Sequence, residues 1–308
     1  MSANISDSKG MSRALFIGLA LFLIITWGTA FTLVSIGVKY MSPMWLVAFR
    51  LIIGAVFLIF YVVATGAKFP KLTDSRWLWY SGLGLTGMTL PFFLTSTGQL
   101  TVDSGLSAII VGAMPIMTII LAHFFAHERL NLFKSIGFFI GFLGIVILFL
   151  PDNLSLELVS DWKAQLLILG GAFCYAVTTV AAKRAPKTPP SVGAAMMLIC
   201  AAIIGVIAAL FTGLPEALPA MPGLLAAAGL GLGSTAVATI VYLYVIEQTG
   251  PSALAKINYF VPVASVIAGI WFLSEPFTWR MVVSFLIILV GIMVAKIGTP
   301  KTVFPTNL

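Results

Sequence analysis

Charge is what this 308-residue chain has least of: 9% of its residues are Asp, Glu, Lys or Arg, 60% are hydrophobic, and the mean hydropathy is +1.10. Soluble domains carry about 25% charged residues, so this scarcity excludes a water-solvated fold and leaves lipid as the solvent. Cysteine and histidine number two each. Cys174 and Cys200 fall in apolar runs as small buried hydrophobes, and so few ligands build neither a disulfide framework nor a metal cluster. His123 and His127 stand four apart in "HFFAH" but lack a third ligand nearby, so no metal and no other cofactor is expected. Nothing resembling a catalytic constellation is present, and an enzyme is not expected. Mid-span carboxylates are missing too, Glu247 near the end of a run being the closest, which gives little support to tight proton coupling.

Long apolar runs are what the chain does have. One helical span takes about 20 such residues, and ten runs qualify, at roughly 14–37, 43–65, 77–98, 104–126, 131–150, 164–185, 190–213, 221–247, 251–273 and 278–297. Connections between them are short. The expectation is an all-α integral membrane protein of ten transmembrane helices, with lipid as its main partner. The first run is too long for a signal peptide and lacks the small-residue cleavage site. In this setting the net charge of +7 is a topological signal and does not point to nucleic acid. Lys9, Arg13, Lys68, Lys71, Arg76, Arg129, Lys134, Lys183, Arg184, Lys187, Lys296 and Lys301 flank one set of loops. Only Lys39, Lys163 and Arg280 flank the other, which also holds Asp152, Glu157, Asp161 and Glu216. By the positive-inside rule both termini are cytoplasmic.

The chain repeats itself. "PIMTIILAHFFAHERLNLFKSIGFFIGFLGIVI" (115–147) parallels "PVASVIAGIWFLSEPFTWRMVVSFLIILVGIMV" (262–294), pairing Pro115 with Pro262, Glu128 with Glu275 and Gly144 with Gly291 at an offset of 147. "GLGLTG" (82–87) matches "GLGLGS" (229–234) at the same offset. Both copies sit in apolar runs with no strand before them, so they are not phosphate-binding loops. The halves, 1–150 and 151–308, hold five spans each. An odd number inverts the second copy in the membrane, and such repeats place a substrate cavity between the halves near the midplane.

Small residues, then Pro, then a run ending in Glu-Arg-Leu or Glu-Pro-Phe, then a Gly-containing span: this pattern resembles the EamA repeat of the drug/metabolite transporter superfamily, over nearly the whole chain. Size and aromatic content are similar to the YddG-type exporters of aromatic amino acids. The resemblance implies a monomeric, alternating-access transporter in a bacterial inner membrane. It would export amino acids, aromatic or hydrophobic ones, from the cytoplasm; a drug or other small-metabolite carrier of the same superfamily is the alternative. The second repeat departs from the pattern at "SEPF", where Pro276 stands opposite Arg129. Glu128 and Glu275 read as interfacial carboxylates that pair locally with Arg129 or Arg280.

Candidate substrate contacts follow from misplaced aromatics. Six of seven tryptophans lie near span ends, where the interface favours them; Trp27 lies about halfway along the first span. Its counterpart is Tyr175. Trp27 and Phe31 share one helical face, as do Tyr175, Thr178 and Thr179. Two such faces suit the walls of a cavity for an aromatic side chain, although rings packed between helices with Thr hydroxyls bonded to their own backbone give the same pattern. Tyr242, Thr95, Gln99, Asn258 and Tyr259 are further polar candidates inside spans.

Two cations remain. Arg50, about two turns into the second span, reads as a tie to backbone carbonyls of neighbouring helices. Lys256, roughly 7–8 Å into the ninth span at 1.5 Å per residue, is close enough to snorkel back to the interface. An aqueous cavity beside it would instead let it meet a substrate carboxylate. Lys256→Met keeps the stem and removes the charge; it should depress amino-acid transport strongly and a carboxyl-free analogue less, whereas equal losses, or none, would make it a membrane anchor. For the topology, cysteines placed at 186–189 should resist an impermeant thiol reagent in intact cells and those at 152–160 should react; the opposite pattern inverts the orientation.

Overall fold

The computed structural model describes residues 12–125, 132–149, 162–182, 184–215, 217–249, 257–258 and 260–297. Among them regular structure is helical, with no strand. Lipid dictates this, because backbone N–H and C=O groups find no water there and each segment must satisfy its own. The helices are α1 (Arg13–Gly37), α2 (Pro43–Ala64), α3 (76–98), α4 (Ser104–Phe125), α5 (Leu132–Phe149), α6 (Trp162–Ala182), α7 (Pro190–Phe211), α8 (221–249), α9 (Val261–Leu273) and α10 (Trp279–Ile297). Pro43 and Pro190 open α2 and α7, where a missing N–H is harmless. Ser12 caps α1, its Oγ accepting from Leu15 N at 3.2 Å.

Seven segments of the described residues are long and apolar enough to cross a membrane by length and composition. The three others are α5 and α9, which are shorter, and α3, whose apolar character is diluted by Thr86, Thr89, Thr95, Ser96 and Thr97. α3 and α8 each contain a π-helical stretch, Leu85–Thr89 and Gly229–Val237. These stretches coincide with the repeated "GLGLTG" and "GLGLGS". Both are helix interior.

The main helix pairs are unchanged when each of the first five helices is exchanged for its counterpart five later. α2 packs on α7, α4 on α9 and α5 on α10. α1 packs on α8 and α9, as α6 packs on α3 and α4. α2 lies on the π stretch of α8, as α7 lies on α3. Glycine makes these crossings close. A Cβ on Gly84 would stand 2.6 Å from the Met197 carbonyl oxygen, and one on Gly231 would stand 2.8 Å from the Arg50 carbonyl oxygen. Gly84 and Gly231, like Arg50 and Met197, are 147 residues apart. One backbone contact is therefore made twice, and a side chain on either glycine would force the helices apart.

Glu275 departs from the expected local pairing. Ser274, in the left-handed region at φ 56, turns the chain back after α9. Glu275 then caps the N-terminus of α4 rather than meeting Arg280. Its Oε1 accepts from Ser104 N–H at 2.7 Å, and its Oε2 accepts from Ser104 Oγ at 2.9 Å and Gly105 N–H at 3.1 Å. An anion there satisfies orphan donors and opposes the helix dipole. Gly269 leaves the space, since its Cβ would lie 2.8 Å from both the carboxylate carbon and Ser104 Oγ. Glu128 lies outside the described residues. In the α2–α3 connection Asp74 pairs with Arg76 at 2.7 Å, and that guanidinium holds the Asp74 carboxyl down to about 2, so it carries no proton at neutral pH.

Glu275→Ala leaves donors at the start of α4 unmet and should cost about 1–3 kcal/mol, read as a lower melting temperature in detergent. Gly269→Ala should destabilise by displacing the same carboxylate, and the double variant should lose less than the two single losses added. Additive losses would show that the glycine serves some other contact.

Candidate functional site

Four helices bring the interior polar and aromatic side chains together. Arg50 reaches from α2 and is 8% exposed. Its Nε donates to Thr235 Oγ1, in the π stretch of α8, at 2.7 Å. Its Cζ lies 3.6 Å from the ring centroid of Phe92 on α3. Phe92 in turn makes a T-shaped contact with Tyr175 on α6, with centroids 6.4 Å apart and planes at 63°. Arg50 thus ties helices, as expected, but through a hydroxyl and a ring and not through backbone carbonyls. A desolvated cation over a ring is worth about 2 kcal/mol, against a burial penalty of several kcal/mol per ion. Among the described residues no carboxylate reaches this guanidinium.

A second ring pair lies on the exchange-related helix pair. Trp27 on α1 meets Tyr242 on α8 at 6.1 Å, tilted by 57°. All four rings are partly buried. The hydroxyls around them divide between two uses. Thr178 donates to the Thr86 hydroxyl at 2.8 Å, joining α6 to α3, while Thr179 is exposed and donates to its own helix at the Tyr175 carbonyl, 2.8 Å away. Gln99 and Thr95 are buried. Gln99 Nε2 donates to the Phe31 carbonyl and to Ser35 Oγ, both at 3.0 Å, binding α3 to α1, while Gln99 Oε1 and Thr95 Oγ1 have no partner among the described residues. Phe31 is half-buried and Asn258 exposed. Lys256 and Tyr259 lie outside the described residues.

A cavity of about 380 Å³ opens between the first half of α1, the end of α2, the start of α7 and the end of α8, with Leu19, Leu58, Tyr61, Ile240 and Tyr244 on its wall. That volume is in the range of small-molecule sites, about 300–1,000 Å³. At the other ends of the helices, Trp45 Nε1 donates to the Gly213 carbonyl at 2.9 Å, and Glu275 closes α9 onto α4.

Sequence reasoning passed over Phe92 and Thr235. Phe92 stands in "LPFFL", which has the composition of a lipid-facing run, and Thr235 directly follows the "GLGLGS" copy. The usable signal was the second motif itself, whose glycines mark where another backbone comes close. The described residues contain no group of three or more His, Cys, Asp or Glu placed to share a metal ion.

The chain is matched twice by the model of the EamA-like transporter family, over residues 14–150 and 162–296. Similar proteins include the uncharacterized inner membrane transporter YedA of Escherichia coli K12, 28% identical over 81% of this chain and 80% of that one. An uncharacterized transporter of Archaeoglobus fulgidus is 26% identical over 87% and 94% of the two chains. A solved crystal structure superposes with a TM-score of 0.62 at 20% identity, covering 93% of this chain and 98% of that one, a likeness of fold alone.

Proposed function

Because the chain belongs to the EamA-like transporter family, we propose that it exports amino acids, aromatic or hydrophobic ones, across a bacterial inner membrane by alternating access. The observation that carries the substrate class is the pair of ring contacts, Trp27–Tyr242 and Phe92–Tyr175, on exchange-related helix pairs in the interior. An apolar planar side chain fits such walls, where stacking adds about 0.5–1.5 kcal/mol beyond burial.

The mechanism uses ten spans in two inverted five-helix halves, 1–150 and 151–308, acting as a monomer with both termini in the cytoplasm. The twofold family match and the exchangeable helix pairing support the division. The basic-residue bias places the four helix ends around the 380 Å³ cavity on the cytoplasmic side. It places the Trp45–Gly213 and Glu275–Ser104 closures on the outer side. Substrate enters that cavity from within, the halves rock, and the outer closures open as the inner one shuts. No chemical step is required.

Proteoliposome counterflow with a panel of labelled amino acids tests the reading, which falls if none is carried. Trp27→Ala should raise the apparent KM for large substrates several-fold at normal protein abundance, since one stacking pair at about 1.5 kcal/mol is roughly tenfold in affinity. Unchanged kinetics would return Trp27 to helix packing.

A further inference from the structure

Arg50 has more binding capacity than the fold uses. Seven residues beyond Pro43, it lies about 10 Å into α2, at a depth where a guanidinium without a counter-charge is costly. The fold does not require a cation there. Its counterpart Met197 receives Gly84 on its carbonyl as Arg50 receives Gly231, and its thioether methyl lies along the π stretch of α3, where a Cβ on Gly87 would meet it at 2.6 Å. The architecture asks only for a long side chain laid along the facing π stretch, and methionine supplies that at no electrostatic cost.

What the charge adds is directional. Nε is committed to Thr235 and one face to Phe92, so the guanidinium is held in a fixed plane. The two terminal amino groups donate to no acceptor among the described residues, and the side chain retains some open surface. That leaves one edge of the fork free, the geometry that takes a carboxylate through two parallel charge-assisted hydrogen bonds. The carboxylates of Glu275 and Asp74 are held elsewhere, by Ser104 and Arg76. Beside the free edge stands the Phe92–Tyr175 ring pair, and Leu58, on the wall of the cavity, is eight residues along the same helix, about 12 Å away.

We propose that Arg50 is the carboxylate subsite of the transport pathway: the substrate's carboxylate pairs with the terminal amino groups, and its apolar body rests against Tyr175. The occupant is a small organic acid with a planar or apolar body. This rests on the reading of the protein as an amino-acid transporter and adds the residue that selects acids over amines. Binding also brings the guanidinium the carboxylate partner that it lacks, while the net charge of the interior is unchanged by a zwitterionic amino acid.

The test compares phenylalanine with phenethylamine, which lacks only the carboxylate, in counterflow by the purified full chain. Arg50→Gln should raise the apparent KM for phenylalanine tenfold or more and change that for the amine less than twofold. Arg50→Lys should fall between, keeping charge but losing the fork. Thr235→Val, which removes the tie and spares the charge, should raise the apparent KM for phenylalanine by less than Arg50→Gln does and leave that for the amine within twofold. Equal losses for both ligands in Arg50→Gln, or no loss, would overturn the proposal while leaving amino-acid transport standing. Wild-type protein that carries no amino acid would overturn the underlying reading instead. A measurement on the wild type needs no folded variant: phenylglyoxal modification of Arg50, read by mass spectrometry, should be slowed by phenylalanine and not by phenethylamine. Absence of modification would show a sealed structural arginine, and equal protection by both would show that the carboxylate does not seat on it; either result overturns the proposal.

Discussion

Close backbone approach at glycine sets how these helices lie against one another. Helices in lipid gain nothing from hiding apolar surface from one another, so they associate where small residues let their backbones touch. Gly84 against the Met197 carbonyl and Gly231 against the Arg50 carbonyl fix α3 on α7 and α8 on α2. Both contacts fall at or beside π-helical stretches, where the wider turn offsets the register of everything that follows. The ring pairs depend on that offset. Phe92 lies just past the end of one π stretch and Tyr242 a little farther past the end of the other, and each meets an aromatic side chain from the half-equivalent helices α6 and α1.

The interior is asymmetric where the backbone is not. The two halves repeat their helix pairing, yet one carries Arg50 and the other Met197 at the same crossing. Such a difference is free of architectural cause, and a charge held at bilayer depth by one hydroxyl and one ring is poorly compensated by the protein alone. At the membrane surface the opposite holds: Glu275 is fully engaged by the start of α4, and Asp74 by Arg76. Among the described residues, the carboxylates of Glu275 and Asp74 are engaged while the guanidinium of Arg50 meets no carboxylate, which is the reverse of what stability by itself would arrange.

Much of the helix layout was legible because its signals are local. A run of twenty apolar residues reports its own solvent, the positions of prolines report helix starts, and an offset of 147 that survives prolines, glycines and a glutamate reports duplication. The site was less legible. Trp27 and Tyr175 stood out against an interfacial preference, but Phe92 did not, because a phenylalanine in a membrane helix is unremarkable until its neighbour is known. Gln99 and Thr95 looked like vestibule groups by polarity alone; in the fold Gln99 is a tie to Phe31 and Ser35. Glu275 was read as a surface carboxylate because Arg280 lies near in sequence, whereas the left-handed turn at Ser274 aims it across 171 residues at Ser104.

The solvent, the helical elements and the duplicated plan are legible from the chain alone, since hydropathy and proline act on residues near one another and a repeat needs only two stretches to be compared. Which rings meet, that Arg50 lies between Thr235 and Phe92, and that Glu275 serves another helix come from the packing of the helices. Those outcomes depend on how one helix rotates against the next, and that rotation is set by glycines and π turns far apart in sequence, whose effect exists only once the backbones touch.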